Sequence, residues 1–158
     1  LTEMGAHISV QNERTSGGER VADIVVAAAN LRGVSFGAEI MPRLIDEIPV
    51  LAVAALFAEG DTVITGAGEL RVKETDRLRA IATEFQKLAP GSIEEREDGL
   101  VIHGNAKIAR AQVKSYGDHR MAMSLAVLGA AADGVLIEEP DSVHISYPTF
   151  FSEIERLS

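Results

Sequence analysis

The chain has 158 residues, no cysteine, few aromatic residues (4%) and a formal net charge of −9 at pH 7. That length allows one domain of ordinary size with a real core, here aliphatic and alanine-rich, while an acidic balance without a basic stretch argues against nucleic acid and anionic membrane as partners. The absence of cysteine excludes disulfides and thiol nucleophiles and fits a reducing, cytoplasmic setting, and apolar runs of about a dozen residues are too short to span a bilayer.

Leu1 to Ala6 reads as the end of a helix, so the chain is expected to be a fragment. Ile8 to Asn12 alternates like a strand, Arg14 to Arg20 is a polar turn around Gly17 and Gly18, and Val21 to Ala29 is strand-like. Gly33 to Gly37 holds a short strand. Pro42 to Ala58 predicts a helix stopped by Gly60, with Pro49 within its first turns, where proline is tolerated. Thr62 to Thr65 is a strand. In Lys73 to Leu88, the residues Leu78, Ile81, Ala82, Phe85 and Leu88 recur at helical spacing, and Pro90-Gly91 ends the helix. Ile93 to Arg96 and Leu100 to His103 flank Asp98-Gly99, a strong hairpin signal. Ala111 to Tyr116 predicts a strand, Met121 to Ala132 a helix, Val135 to Glu138 a strand and Pro148 to Leu157 a final helix.

Charge concentrates at three helix mouths. Arg71-Val72-Lys73-Glu74-Thr75-Asp76-Arg77 precedes the amphipathic helix. Asp118-His119-Arg120 precedes the apolar run from Met121, and Asp46-Glu47 precedes the run from Ile48. Unpaired backbone N–H groups and the macrodipole favour an anion at such points. Cations placed there can hold phosphate or carboxylate, and a carboxylate beside them can move a proton. One such cluster is ordinarily a cap; three in a small domain predict a convergent site for a small anionic ligand.

An internal repeat is also visible. Asp46, an apolar helix and the strand at Val63 parallel Asp118, an apolar helix and the strand at Val135, at the same offset, and a second helix follows each strand. The first helix of each unit is apolar nearly all round and is expected to be buried, with sheet outside and helix within.

These residues resemble the 5-enolpyruvylshikimate-3-phosphate synthase family of the shikimate pathway. Arg71 to Leu78 is similar to its signature segment, Asp118-His119-Arg120-Met121-Ala122-Met123 to its second, and Leu44-Ile45-Asp46-Glu47-Ile48-Pro49 to a third landmark. Gly17-Gly18-Glu19 and Ser146-Tyr147-Pro148 match as well. The resemblance implies an α/β inside-out barrel of β-α-β-α-β-β units with buried helices. Residues 1–158 would then be a partial domain of about two repeat units, from the C-terminal part of an enolpyruvyl transferase. It implies transfer of the enolpyruvyl group of phosphoenolpyruvate to the 5-hydroxyl of shikimate 3-phosphate, with release of phosphate and no metal or organic cofactor.

By the same resemblance Asp46 contacts the shikimate hydroxyls and takes a proton from the attacking one, assisted by Lys73. Glu74 serves proton traffic at the phosphoenolpyruvate methylene carbon. Arg77 and Arg120 clamp the phosphoenolpyruvate anion, and His119 supports them. The partner implied is the N-terminal remainder of the enzyme. Two departures bear on substrate contacts: Ile145 stands where many members have lysine, and Glu69 where many have asparagine.

Other chemistry-bearing residues have plainer readings. His7, His103 and His144 are structural or exposed, Met121 and Met123 pack the core, Glu94 to Asp98 is a solvated hairpin, and Gly66-Ala67-Gly68 is a turn rather than a phosphate loop. Two alternatives remain: a UDP-N-acetylglucosamine enolpyruvyl transferase-like enzyme, and a non-catalytic piece that folds or pairs with a missing portion.

Overall fold

Gly17 (φ 60°) and Gly18 (φ 87°) make a two-residue left-handed turn, and the hairpin on either side is longer than its hydrophobic pattern suggests. The structure, a computed structural model, describes residues 1–132 and 134–157. Strand β1 (His7–Ser16) pairs antiparallel with β2 (Glu19–Ala27), so the predicted polar turn shrinks to the two glycines. Residues 13–16 are exposed strand with no apolar alternation to mark them. A register shift between Gln11 and Arg14 bends the ribbon, and Val10, Ile24, Val25 and Val26 face solvent. Leu1 to Ala6 is a pair of turns, not a helix end, with Gly5 at φ 93°.

The predicted helix from Pro42 to Ala58 divides into α1 (Met41–Leu44), a 3-10 turn at Ile45–Glu47 and α2 (Ile48–Phe57). Pro49 explains the break: it lacks the N–H that would bond the carbonyl of Ile45 in a continuous helix. The interruption lifts Asp46 and Glu47 onto a short turn at the mouth of α2. Strands β3 (Ser35–Phe36), β4 (Asp61–Ile64), β5 (Ile93–Glu95) and β6 (Leu100–His103) form a sheet in the order β3-β4-β6-β5, with β3 and β4 parallel and the rest antiparallel. Ile64, Leu100 and Ile102 point inward and are fully buried, while Val63 and Val101 on the outer face are partly exposed. At the β5–β6 turn a side chain on Gly99 would meet the Ile64 carbonyl oxygen at 1.9 Å, so only glycine fits.

Helix α3 (Arg77–Leu88) buries Leu78, Ile81, Ala82, Phe85 and Leu88, the predicted stripe. It begins four residues later than its pattern suggests, with Asp76 as N-cap, so Lys73 and Glu74 lie in the loop ahead of it. Strands β7 (Gln112–Lys114) and β8 (Leu136–Glu138) pair in parallel around α4 (His119–Ala130), repeating the β3–α2–β4 arrangement. A 3-10 turn at Pro140–Ile145 and helix α5 (Phe150–Leu157) cover α4 on its far side.

Helices α2 and α4 pack against each other inside the sheets. Ile48, Ala52, Ala55, Leu56, Met121, Leu125 and Leu128 are fully buried. Strands therefore lie outside and apolar helices within: a mixed α/β, inside-out arrangement. The burial of α2 is incomplete at its ends, where Val50 and Phe57 reach solvent. Among the described residues no helix is long and apolar enough to cross a membrane.

Candidate active site

The mouths of α2, α3 and α4 meet at one place, and Arg77 sits at its centre. Arg77 is the first residue of α3, and its side chain is only 1% exposed. Its Nε donates to Asp118 Oδ2 at 2.7 Å and its Nη2 to Asp118 Oδ1 at 3.3 Å. The same Nη2 donates to Glu74 Oε2 at 2.7 Å, and Nη1 to Asp46 Oδ1 at 3.0 Å. One guanidinium thus holds carboxylates from all three helix mouths. Burial by itself would lower the Arg77 pKa; the bonds and charge of Asp118, with Glu74 and Asp46, hold it above its ordinary value.

Asp46 is the second hub. Beyond Arg77 it has Lys73 Nζ at 3.8 Å and Arg120 Nη2 at 4.0 Å. Arg120 Nη1 donates to the Asp46 backbone carbonyl at 2.9 Å and to Glu47 Oε1 at 3.0 Å. Partial burial works to raise the Asp46 pKa, but Arg120, then the Arg77 hydrogen bond, then Lys73 carry it below the usual carboxylate value. Lys73 Nζ also lies 2.7 Å from Glu69 Oε1, and that bond, above all, raises the lysine pKa. Lys73 is therefore held as a charged donor. Glu69, where the resemblance marks a departure, has its carboxylate inside the cluster; Ile145 lies elsewhere, 79% exposed.

The structure thus unites Asp46, Lys73, Glu74, Arg77 and Arg120. His119 follows Asp118 at the start of α4, half-buried, and among the described residues its ring has no hydrogen-bond partner. Asp118 is the residue that sequence reasoning left without a role. It is fully buried, caps α4 by accepting from Arg120 N (2.9 Å) and Met121 N (3.3 Å), and holds Arg77. Its signal was visible as an acid directly before an apolar helix, which reads as an ordinary N-cap.

At α3 and α4 the expectation that free helix-end N–H groups would receive an anion is corrected: Asp76 accepts from Arg79 N at 3.0 Å, and Asp118 occupies the first amides of α4. Among the described residues no side chain caps α2. At the mouths of α3 and α4, what is offered to a ligand is chiefly side-chain charge. Arg71 lies outside the cluster: its guanidinium donates to Asp76 and Glu95 and to the carbonyls of Arg96 and Glu97. The charge run from Glu94 to Asp98 is accordingly not merely solvated. It anchors Arg71, and Asp98 accepts from Gly66 N (2.9 Å) and Ala67 N (2.7 Å), which makes Gly66-Ala67-Gly68 a docked turn. No group of three or more His, Cys, Asp or Glu side chains among the described residues is arranged to hold a metal ion. Beside the cluster, Asp46, Glu47 and Arg120 edge an apolar hollow floored by Val50, Met123, Val127 and Phe150.

Comparison with known proteins bears on this arrangement. Residues 1–154 match the family model described as EPSP synthase (3-phosphoshikimate 1-carboxyvinyltransferase). A protein of that enzyme name from Syntrophomonas wolfei is 49% identical over 160 residues, covering 100% of this chain and 37% of its own length. Its counterpart in Gloeobacter violaceus is 52% identical over 158 residues, covering 99% of this chain and 36% of its own. The solved EPSP synthase from Acinetobacter baumannii superposes with a TM-score of 0.91 at 39% identity, over 99% of this chain and 37% of that one. The chain spans a little over a third of the length of these relatives.

Proposed function

The chain belongs to the EPSP synthase family, and on that premise we propose that it forms one wall of an active site for enolpyruvyl transfer. The substrates are phosphoenolpyruvate and shikimate 3-phosphate, and the product phosphate leaves as the new ether bond is completed. In this reading the chain is a partial domain of about two repeat units working in the cytoplasm. The rest of the site comes from sequence corresponding to the larger part of the relatives. The observation that carries the reading is the convergence of Lys73, Arg77 and Arg120 on Asp46, with Glu74 bonded to Arg77.

The chemistry asks for two proton transfers and a fixed anion. The 5-hydroxyl must lose a proton as it attacks C2 of phosphoenolpyruvate, while C3 gains one and later returns one as phosphate departs. Asp46 is the base for the hydroxyl, and Lys73, held protonated, stabilises the developing oxyanion. Asp46 is a weak base while three cations surround it. Substrate phosphate and carboxylate arriving beside the part-exposed Arg120, with Arg77 buried behind it and bonded to Asp118, Glu74 and Asp46, reduce that positive field and so raise the basicity of Asp46. Glu74 is half-exposed and reaches into the site from a loop; it is the acid and then the base at C3. His119, at the start of α4, supports the Arg120 side of the anion seat.

A phosphate-release assay with both substrates tests this. The chain alone is expected to be inactive, because positioning between two walls can supply about 7–11 kcal/mol of a barrier and one wall cannot provide it. Adding the portion of the Syntrophomonas wolfei relative that this chain does not span should restore turnover. Robust turnover by the isolated chain, or none from the pair, would sink the proposal.

A further inference from the structure

Glu84 lies two turns along α3 from Arg77, fully buried, and takes no part in the charged cluster. Its Oε1 accepts from the Tyr116 hydroxyl at 2.7 Å, and its Oε2 from the Lys114 backbone N–H at 2.8 Å and Lys87 Nζ at 2.7 Å. These bonds overcome burial and keep the carboxylate below its usual pKa. Lys114 ends β7, and Tyr116 lies in the turn between it and Asp118.

The segment they hold needs holding. Asp118 N donates to Ser115 O at 3.1 Å, closing a turn whose central residues are Tyr116 (φ 58°) and Gly117 (φ 68°). Glycine adopts that conformation freely, whereas an aromatic residue does not. Ser115, also buried, donates to the Glu139 carbonyl at 2.7 Å and accepts from Gly117 N at 3.2 Å. Tyr116 thus adopts a disfavoured backbone conformation while its hydroxyl is bonded to Glu84, and Asp118, two residues on, bonds Arg77.

We propose that Glu84 is a positioning residue for the anion site: through Tyr116 and Lys114 it fixes the left-handed turn that aims Asp118 at Arg77. Helix α3 and the β7–α4 turn are joined at two points, Arg77–Asp118 at the site and Glu84–Tyr116 behind it. With the rear point released, the turn relaxes and the Arg77 guanidinium loses its bidentate anchor. The proposal rests on the reading of the cluster around Arg77 as the anion site.

The test is Tyr116→Phe, which keeps the ring and removes the hydroxyl. In the chain alone, hydrogen exchange of the Arg77 Nε–H, followed by NMR, should accelerate about tenfold or more, while the Leu56 amide in α2 keeps its protection. In the chain paired with the complementary part of the Syntrophomonas wolfei relative, KM for phosphoenolpyruvate should rise about tenfold and kcat change by less than about threefold. Glu84→Gln, which can still bond both partners, should restore most of the slow exchange lost in Glu84→Ala. Unchanged Arg77 exchange in Tyr116→Phe overturns the proposal, as does faster exchange in an active pair whose KM is unmoved. If the unsubstituted pair releases no phosphate, the transferase reading falls, and the exchange measurement alone decides the role of Glu84.

Discussion

Arg77 and Asp118 form a two-pronged ion pair between side chains that are 1% and 0% exposed, joining the first residue of α3 to the N-cap of α4. The pair is 41 positions apart in sequence, so it locks the two helix mouths into one register. Desolvating such charges is costly, and the arrangement holds because nearly every donor and acceptor in it is used.

Removing Arg77 leaves the buried Asp118 carboxylate without a counter-charge, and removing Asp118 leaves the buried Arg77 guanidinium with only Glu74 and Asp46. Arg77→Ala and Asp118→Ala should each lower the unfolding free energy of the chain by about 3–5 kcal/mol, read from urea denaturation. Asp118→Ala should be the worse of the two by about 1 kcal/mol, since it also uncaps α4. The double substitution should cost clearly less than the sum, because the second change removes an already stranded charge. Additive losses would show that the two residues act independently.

The legible parts of this molecule were those with a strong period or a hard punctuation mark. The stripe of α3, the Asp98-Gly99 hairpin and the apolar helices α2 and α4 all carry one. The convergence of Asp46, Arg77 and Arg120 was readable because each stands at the mouth of a helix. The β1–β2 ribbon was read too short because its far half is exposed on both faces and has no alternation to detect. The break before α2 depends on one missing N–H at Pro49, a local effect that a hydrophobic run conceals. The anchoring roles of Asp118 and Glu84 were hidden for another reason: each acts through a partner far away in sequence, and nothing local distinguishes a cap or a surface acid from a buried anchor.

The inner helices should respond to truncation as a core does. Leu56 and Leu125 are both 0% exposed, on the two helices that pack together. Leu56→Ala and Leu125→Ala should each cost about 2–5 kcal/mol by denaturant unfolding. Val50, on the same helix as Leu56 but 38% exposed, is the control: Val50→Ala should cost under about 1 kcal/mol.

His103 gives the outer face of the sheet a pH dependence. Its Nδ1 lies 2.9 Å from Asp61 on β4 and its Nε2 3.1 Å from Glu94 on β5, so one ring ties three strands. The bond to Asp61 first, then that to Glu94, raises its pKa above the ordinary 6.5. A raised folded value means the stabilisation is fully present below about pH 6.5 and is lost as pH rises through the folded value. The urea midpoint should therefore fall across that window, and His103→Gln should flatten the fall. An unchanged slope in the variant would place the titrating group elsewhere.

Glu74 and Arg120 have separable parts in the proposed reaction, and kinetics on the reconstituted pair should divide them. Glu74→Gln preserves the shape of the side chain and its bond to Arg77 while removing the titratable proton. It should lower kcat by about 100-fold to 10,000-fold, the range for a lost general acid, with little change in KM. Arg120→Ala instead removes a cation beside Asp46 and should act chiefly on phosphoenolpyruvate binding, raising KM by about tenfold or more. Because Arg120 also depresses the Asp46 pKa, its loss should move the acid limb of the kcat/KM profile to higher pH. A Glu74→Gln pair that turns over normally would remove Glu74 from the proton path. An Arg120→Ala pair with an unmoved acid limb would separate Asp46 from the base role.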